Sequence, residues 1–278
     1  MRTVDATQVT QTVRKLCILA NTHADEYIKA AITKAAALEN EPLPKSVLDM
    51  LCENMVVAEK ENMPICQDTG MVVVFVEIGQ EVYVDGDLAK AINEGVRQGY
   101  RDGYLRASIV SDPAERVNTK DNTPAVIYFN IVSGDRLRLT VMPKGFGSEN
   151  KSALKMFVPA DGIGAACDFV VETVKKASGD PCPPIVVGVG IGGTMEKAAI
   201  LSKEALIHVS DETDNPYWRN IECELLERIN GLGIGAGGFG GRSTCLGVKV
   251  LTFPTHIAGL PVAVNIGCHV SRKKSAVL

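Results

Sequence analysis

Apolar residues recur at helical spacing through the first part of the chain. Val9, Val13, Leu16, Cys17 and Ala20 form one stripe, and the alanine-rich run 29–38 continues it, so residues 6–40 read as helical. Two prolines within 39–44 end that pattern. A second helical pattern over 45–61 carries Val47, Leu48, Leu51, Cys52, Met55 and Val56. Residues 71–78 are continuously apolar and of strand length, the pattern of a strand covered on both faces. Residues 85–103 read as helix. Residues 125–131 and 136–142 read as strands joined through Ser133-Gly134-Asp135, a hairpin signal. Helices follow over 161–177, 195–206 and 217–230, with strands over 185–189, 246–253 and 262–266. The alternation predicts an α/β fold, a mixed sheet flanked by helices, in a single domain over residues 1–278.

Composition narrows the function. The 278 residues are 46% hydrophobic and 22% charged, ordinary for a globular protein with a real core. A net charge of −4 without a long basic run argues against nucleic-acid binding, and aromatics at 5% supply few platforms for bases. No apolar run reaches the roughly 20 residues of a membrane span. The N-terminus lacks the apolar core of a signal peptide, so a cytoplasmic location is expected. The eight cysteines should then be reduced thiols rather than a disulfide framework. The 26 glycines leave many backbone amides free to approach a ligand.

Candidate chemistry concentrates in Pro64-Ile65-Cys66-Gln67-Asp68-Thr69-Gly70, where a thiol, an amide, a carboxylate and a hydroxyl adjoin a glycine at a helix-to-strand junction. Cys17, Cys52, Cys167 and Cys223 lie on helical patterns and read as structural. Cys66, Cys182 and Cys268 instead occupy irregular turns flanked by Pro or Gly, with Cys245 a weaker fourth at a strand entrance. No C-x-x-C occurs, which argues against zinc ribbons and ferredoxin-type runs. Two readings of the loop cysteines stay open: ligands of one iron–sulfur cluster, or unrelated core thiols. The turn-rich segment 104–124 is long enough to be functional, with Arg106 a candidate cation. Successive amides over 143–150, around Gly145 and Gly147, can form an anion-binding nest beside Lys144. Gly188, Gly190 and Gly193 fit G-x-G-x-x-G between a strand and a helix. A nucleotide-dependent oxidoreductase is therefore a rival reading, beside a tight turn or a helix N-terminus facing a small carboxylate or a cluster.

The 64–70 stretch resembles the signature of class I, iron–sulfur-dependent fumarate hydratases and their tartrate dehydratase relatives. Leu105-Arg106-Ala107-Ser108, the blocks 118–125, 144–150 and 188–194, and the closing block 265–272 resemble that family's further motifs in the same order. The resemblance implies a [4Fe-4S] cluster with one iron not ligated by cysteine, held through Cys66, Cys182 and Cys268 on loops between elements. It implies that Gln67, Asp68 and Arg106 contact a four-carbon dicarboxylate, Arg106 gripping a carboxylate and Asp68 orienting a hydroxyl or accepting a proton. A backbone contact falls near Gly145 or Gly147; single-chain relatives carry a further glycine where this chain has Phe146. Only the N-terminal, cluster-binding part of the family is resembled. The expected protein is thus an α subunit of an α–β hetero-oligomer, whose separate β subunit supplies further substrate contacts and a catalytic base. The expected reaction is hydration of fumarate to L-malate, with L(+)-tartrate dehydration as the alternative. A non-enzymatic iron–sulfur protein is the second rival.

Overall fold

The computed structural model describes residues 1–278. In chain order it contains β1 (Arg2–Asp5), α1 (Ala6–Thr22), α2 (Glu26–Leu38), α3 (Pro42–Glu61), β2 (Met71–Gly79), β3 (Val82–Asp85), α4 (Leu88–Asp102), β4 (Val126–Val132) and β5 (Leu137–Lys144). There follow α5 (Phe146–Glu149), β6 (Ala153–Phe157), α6 (Gly162–Ala177), β7 (Ile185–Gly192), α7 (Met195–Ile207), α8 (Pro216–Asn230), β8 (Cys245–Phe253), β9 (Leu260–Gly267) and β10 (Lys274–Val277). The fold is α/β with mixed sheets flanked by helices. The chain forms two compact units. The first is Met1–Asp25, Asn54–Phe146 and Arg272–Leu278; the second is Glu26–Glu53 and Gly147–Ser271. No helix is long and apolar enough to cross a membrane.

In the first unit the sheet order is β10-β5-β2-β4, with β2 parallel to β4 and antiparallel to β5. Period-2 alternation sends Val72, Val74 and Val76 of β2 and Leu137, Leu139 and Val141 of β5 into one core with Val9, Val13 and Cys17 of α1 and Ile92, Val96 and Tyr100 of α4. Two glycines let those helices approach: a Cβ on Gly95 would stand 2.7 Å from the Thr10 carbonyl oxygen, and one on Gly99 2.8 Å from the Cys17 Cβ. Two departures from the sequence pattern appear here. The helical stretch 6–40 is two helices, because Asn21 and Thr22 turn their side chains back onto the carbonyls of Cys17 and Ile18 and the chain leaves the helix at His23. Ser133-Gly134-Asp135 does not close a hairpin. β2 lies between β4 and β5, and the connection instead crosses its end, where the amides of Gly79, Gln80 and Glu81 donate to the carbonyls of Arg136, Val132 and Gly134. The long apolar run of β2 claims the central position that a β4–β5 hairpin would have closed off.

In the second unit the sheet order is β6-β9-β7-β8, with β7 parallel to β8 and antiparallel to β9. Every residue of β7 is buried. Val187, Val189 and Ile191 pack with α6 and α8. On the opposite face Gly188 and Gly190 admit α7: a Cβ on either would stand 2.1 Å from a helix carbonyl oxygen, that of Ser202 or Ala198.

Candidate active site

Residues 64–70 form an irregular loop whose backbone is clamped by side chains of the first unit. Asn54 Nδ2 donates to the Ile65 carbonyl at 2.9 Å, and the Ile65 amide donates to Asn21 O at 2.9 Å. The Tyr100 hydroxyl donates to Thr69 O at 2.6 Å and Gly70 O at 3.1 Å. Asn122, wholly buried, donates through Nδ2 to Gly70 O at 3.1 Å. Arg272 donates through Nη2 to Asp68 O. Burial pushes the Tyr100 phenol up, so it stays a neutral donor. Gly70 has φ +77°, and a Cβ there would stand 2.7 Å from the Lys144 amide nitrogen, so the turn into β2 requires glycine. With carbonyls pinned on both sides of them, half-buried Cys66 and Asp68 and exposed Gln67 project from a fixed platform.

Asp68 is held at its head as well. Its Oδ1 accepts from the Gly70 amide at 3.0 Å and its Oδ2 from the Phe146 amide at 3.0 Å. The amides expected to form an anion nest over 143–150 thus already serve an anion, the Asp68 carboxylate. Gly145 faces it closely, its absent Cβ only 3.0 Å from Oδ2. Lys144, the expected positive charge of that loop, is buried rather than displayed. Gly147, beyond the turn, belongs to the second unit.

Arg106 is exposed on a backbone that hydrogen bonds hold in place. The Leu105 amide donates to Tyr100 O at 2.9 Å, and the Thr69 hydroxyl donates to Arg106 O at 2.9 Å. The same segment is stitched further by Asn118, which donates to Ala107 O at 3.0 Å, and by Asn122 Oδ1, which accepts from the Ser108 amide at 2.8 Å. The turn-rich segment is therefore ordered by asparagine side chains and ties Arg106 to the 64–70 loop.

Cys182 and Cys268 belong to the second unit, Cys66 to the first. Cys182 is exposed and has φ +54°, a conformation that L-residues seldom adopt. Its carbonyl accepts from the His269 amide at 3.4 Å and, with the proton on Nδ1, from the His269 ring at 2.9 Å. The turns carrying Cys182 and half-buried Cys268 are thus fastened together. The glycine-dense stretch 231–241 backs the Cys182 turn: the Gly237 amide donates to Pro183 O at 2.8 Å, and a Cβ on Gly179 would stand 3.2 Å from the Gly238 Cα. Buried Glu39 holds the far end of that stretch, accepting at Oε2 from the Arg242 amide at 2.8 Å and at Oε1 from the amides of Asn40 and Glu41. Neither unit by itself gathers three His, Cys, Asp or Glu side chains into a metal-holding group.

The remaining cysteines separate by burial. Cys17 and Cys245 are buried and their thiols are pushed up to about 12, so both stay protonated. Cys245 also donates to Gly247 O at 3.2 Å, a buried thiol bonded within its own strand. Cys167 is core as the pattern predicts, whereas Cys52 is half-buried and Cys223 exposed. The eight form no disulfide with one another. The G-x-G-x-x-G match has a packing explanation. Gly188 and Gly190 accommodate α7, Gly193 has φ +70° and lies against the Lys197 side chain, and at the start of α7 the Thr194 hydroxyl bonds Glu196, an acid where a phosphate would sit. Sequence reasoning passed over Tyr100, Asn122, Glu39 and Arg272. Asn122 and Arg272 left a signal only as members of the blocks 118–125 and 265–272, without a role; Tyr100 and Glu39 look like an amphipathic helix end and a linker acid.

Thiols on loops between α/β elements, with a clamped carboxylate and a displayed arginine on the first unit, are the chemistry-bearing groups of this fold. The family model for fumarate hydratase (Fumerase) matches residues 10–277, and the chain belongs to that family. It is 40% identical over 256 residues to the putative L(+)-tartrate dehydratase subunit alpha of Methanocaldococcus jannaschii, covering 89% of this chain and 90% of that one. It is 29% identical over 271 residues to the L(+)-tartrate dehydratase subunit alpha of Escherichia coli K12, covering 96% of this chain and 89% of that one.

Proposed function

We propose that the chain is the alpha subunit of a hydro-lyase that interconverts fumarate and L-malate, with a [4Fe-4S] cluster bound by Cys66, Cys182 and Cys268. The observation that carries this reading is the family match over 10–277, whose most reactive stretch is the clamped 64–70 loop. The donor set fits the cluster. Thiolates are its usual ligands, and these three thiols lie on turns with fixed backbones, outside the cores that keep Cys17 and Cys245 protonated. Bound there, the cluster would supply a Lewis acid at the iron that no cysteine ligates.

The chain's own residues supply the grip. Arg106 offers a planar fork of donors suited to a carboxylate, on a backbone anchored by Thr69. Gln67 offers an exposed amide from the platform that fixes Cys66. An ionised carboxylate has about four lone-pair sites, and Asp68 gives two to Gly70 and Phe146, leaving the others to orient a substrate hydroxyl or accept its proton. Gly145, with no side chain over Oδ2, and Gly147 are the two candidates for a backbone contact with the substrate. Dehydration of L(+)-tartrate is the second reading, favoured by the names of the two relatives. Their designation as alpha subunits supports a separate partner subunit; a cytoplasmic α–β assembly, with a catalytic base on the beta subunit, completes the proposal. The test is anaerobic co-expression with the partner subunit and parallel assay of fumarate, L-malate and L(+)-tartrate. Turnover of fumarate supports the first reading and of tartrate alone the second; failure with all three would overturn both.

A further inference from the structure

Arg272 is 4% exposed, yet its guanidinium meets no carboxylate. Nε donates to Pro143 O at 3.2 Å and Nη2 donates to Asp68 O, while Nη1 is buried without a partner. A buried charge is destabilising unless its donors are bonded, and a donor left without a partner adds to that cost. Packing alone would be better served by an apolar side chain. The two carbonyls it joins explain its presence. One belongs to Asp68, in the loop of Cys66 and Gln67. The other belongs to Pro143, at the end of β5, just before the turn whose Phe146 amide binds Asp68 Oδ2. The guanidinium and that amide thus hold Asp68 from opposite ends, backbone and carboxylate. Tyr100, Asn54 and Asn122 hold the neighbouring carbonyls of the 64–70 loop, but none of them reaches the Pro143 turn.

We propose that Arg272 is a positioning residue that locks the Cys66–Asp68 loop to the Pro143–Phe146 turn, fixing where the Asp68 carboxylate and the Cys66 thiol point. The inference deepens the hydro-lyase reading, but its first test needs neither substrate, cluster nor partner.

That test follows alkylation of Cys66 by iodoacetamide in the full chain, with iron removed by a chelator under anaerobic conditions and labelled peptides quantified by mass spectrometry. Three variants are compared. Arg272→Ala removes both bonds, Arg272→Lys keeps the charge but cannot bridge two carbonyls, and Arg272→Gln keeps planar donors without charge. In the Ala and Lys variants Cys66 labelling should accelerate by about tenfold, the equivalent of roughly 1.4 kcal/mol of loop opening. Labelling of exposed Cys223 should not change, and added guanidinium ion should restore protection in Arg272→Ala. If Arg272→Ala fails to fold, the Lys and Gln variants carry the comparison. Unchanged Cys66 labelling in every folded variant, or equal acceleration at Cys223, would overturn the proposal. In the loaded assembly, Arg272→Lys should lower kcat by about tenfold with KM within about threefold, because the substrate grip at Arg106 is intact while the reacting groups are misplaced. Loss of labelling protection without any hydro-lyase activity in wild type would count against the function and leave the positioning role standing.

Discussion

Asp68 is held at three atoms, its carbonyl by Arg272 and its two carboxylate oxygens by the amides of Gly70 and Phe146. A side chain so fixed serves geometry first and chemistry second. Arg106 is the opposite case, a fixed backbone with an exposed head. Arg106→Ala should therefore raise KM and lower kcat/KM by about 100-fold or more while leaving the melting temperature near wild type, checked by steady-state kinetics beside thermal unfolding. Glu39 makes a prediction in pH. Burial pushes its carboxyl up, but the amides of Arg242, Glu41 and Asn40 outweigh that and hold it below the ordinary value of 4.5. Its contribution to stability is fully present above that value and is lost as pH falls through the depressed one. Glu39→Gln should thus lower stability by about 1–3 kcal/mol at neutral pH, and the difference from wild type should shrink below pH about 4, measured by urea titration across pH. At this scale the sequence displays reactive types well and supporting ones poorly. Cys66, Gln67 and Asp68 stand out because several polar groups adjoin. Arg272 does not, because an arginine followed by two lysines looks like solvated surface, whereas the fold buries its guanidinium against the Pro143 and Asp68 carbonyls.

The elements show why local pattern reads some structure and misses other parts. Helical stripes over 162–177, 195–207 and 216–230 were legible because burial on one face imposes a period on the residues themselves. Strand order was not, because the signal at Ser133-Gly134-Asp135 is local while the placement of β2 between β4 and β5 is a property of the sheet. Short edge elements such as β1 and β10, each of 4 residues, have too few positions for alternation to register. The glycine motif at 188–193 looked chemical because glycine serves close ligand approach and close helix approach alike. Here the helix takes it: Gly190→Ala would place a Cβ 2.1 Å from Ala198 O and 2.6 Å from Ser202 N, neither of which can yield without moving α7. That substitution should cost about 1–3 kcal/mol or more, seen as a lower urea midpoint, and should leave the response to added NAD unchanged from wild type.

At the scale of the whole molecule, two compact α/β units carry the candidate groups, and the proposal that three cysteines distant in sequence act together rests on the family resemblance, not on periodicity or burial. The two relatives are named as alpha subunits, and under the proposed function a partner subunit completes the pocket, so this chain alone does not display the substrate preference. The most direct test of the account is iron, sulfide and hydro-lyase activity measured on anaerobically purified assembly, wild type beside Cys182→Ser. The account predicts about four irons per alpha chain and turnover of a four-carbon diacid in wild type, with both reduced together in the variant. Full iron and full activity in Cys182→Ser would contradict it.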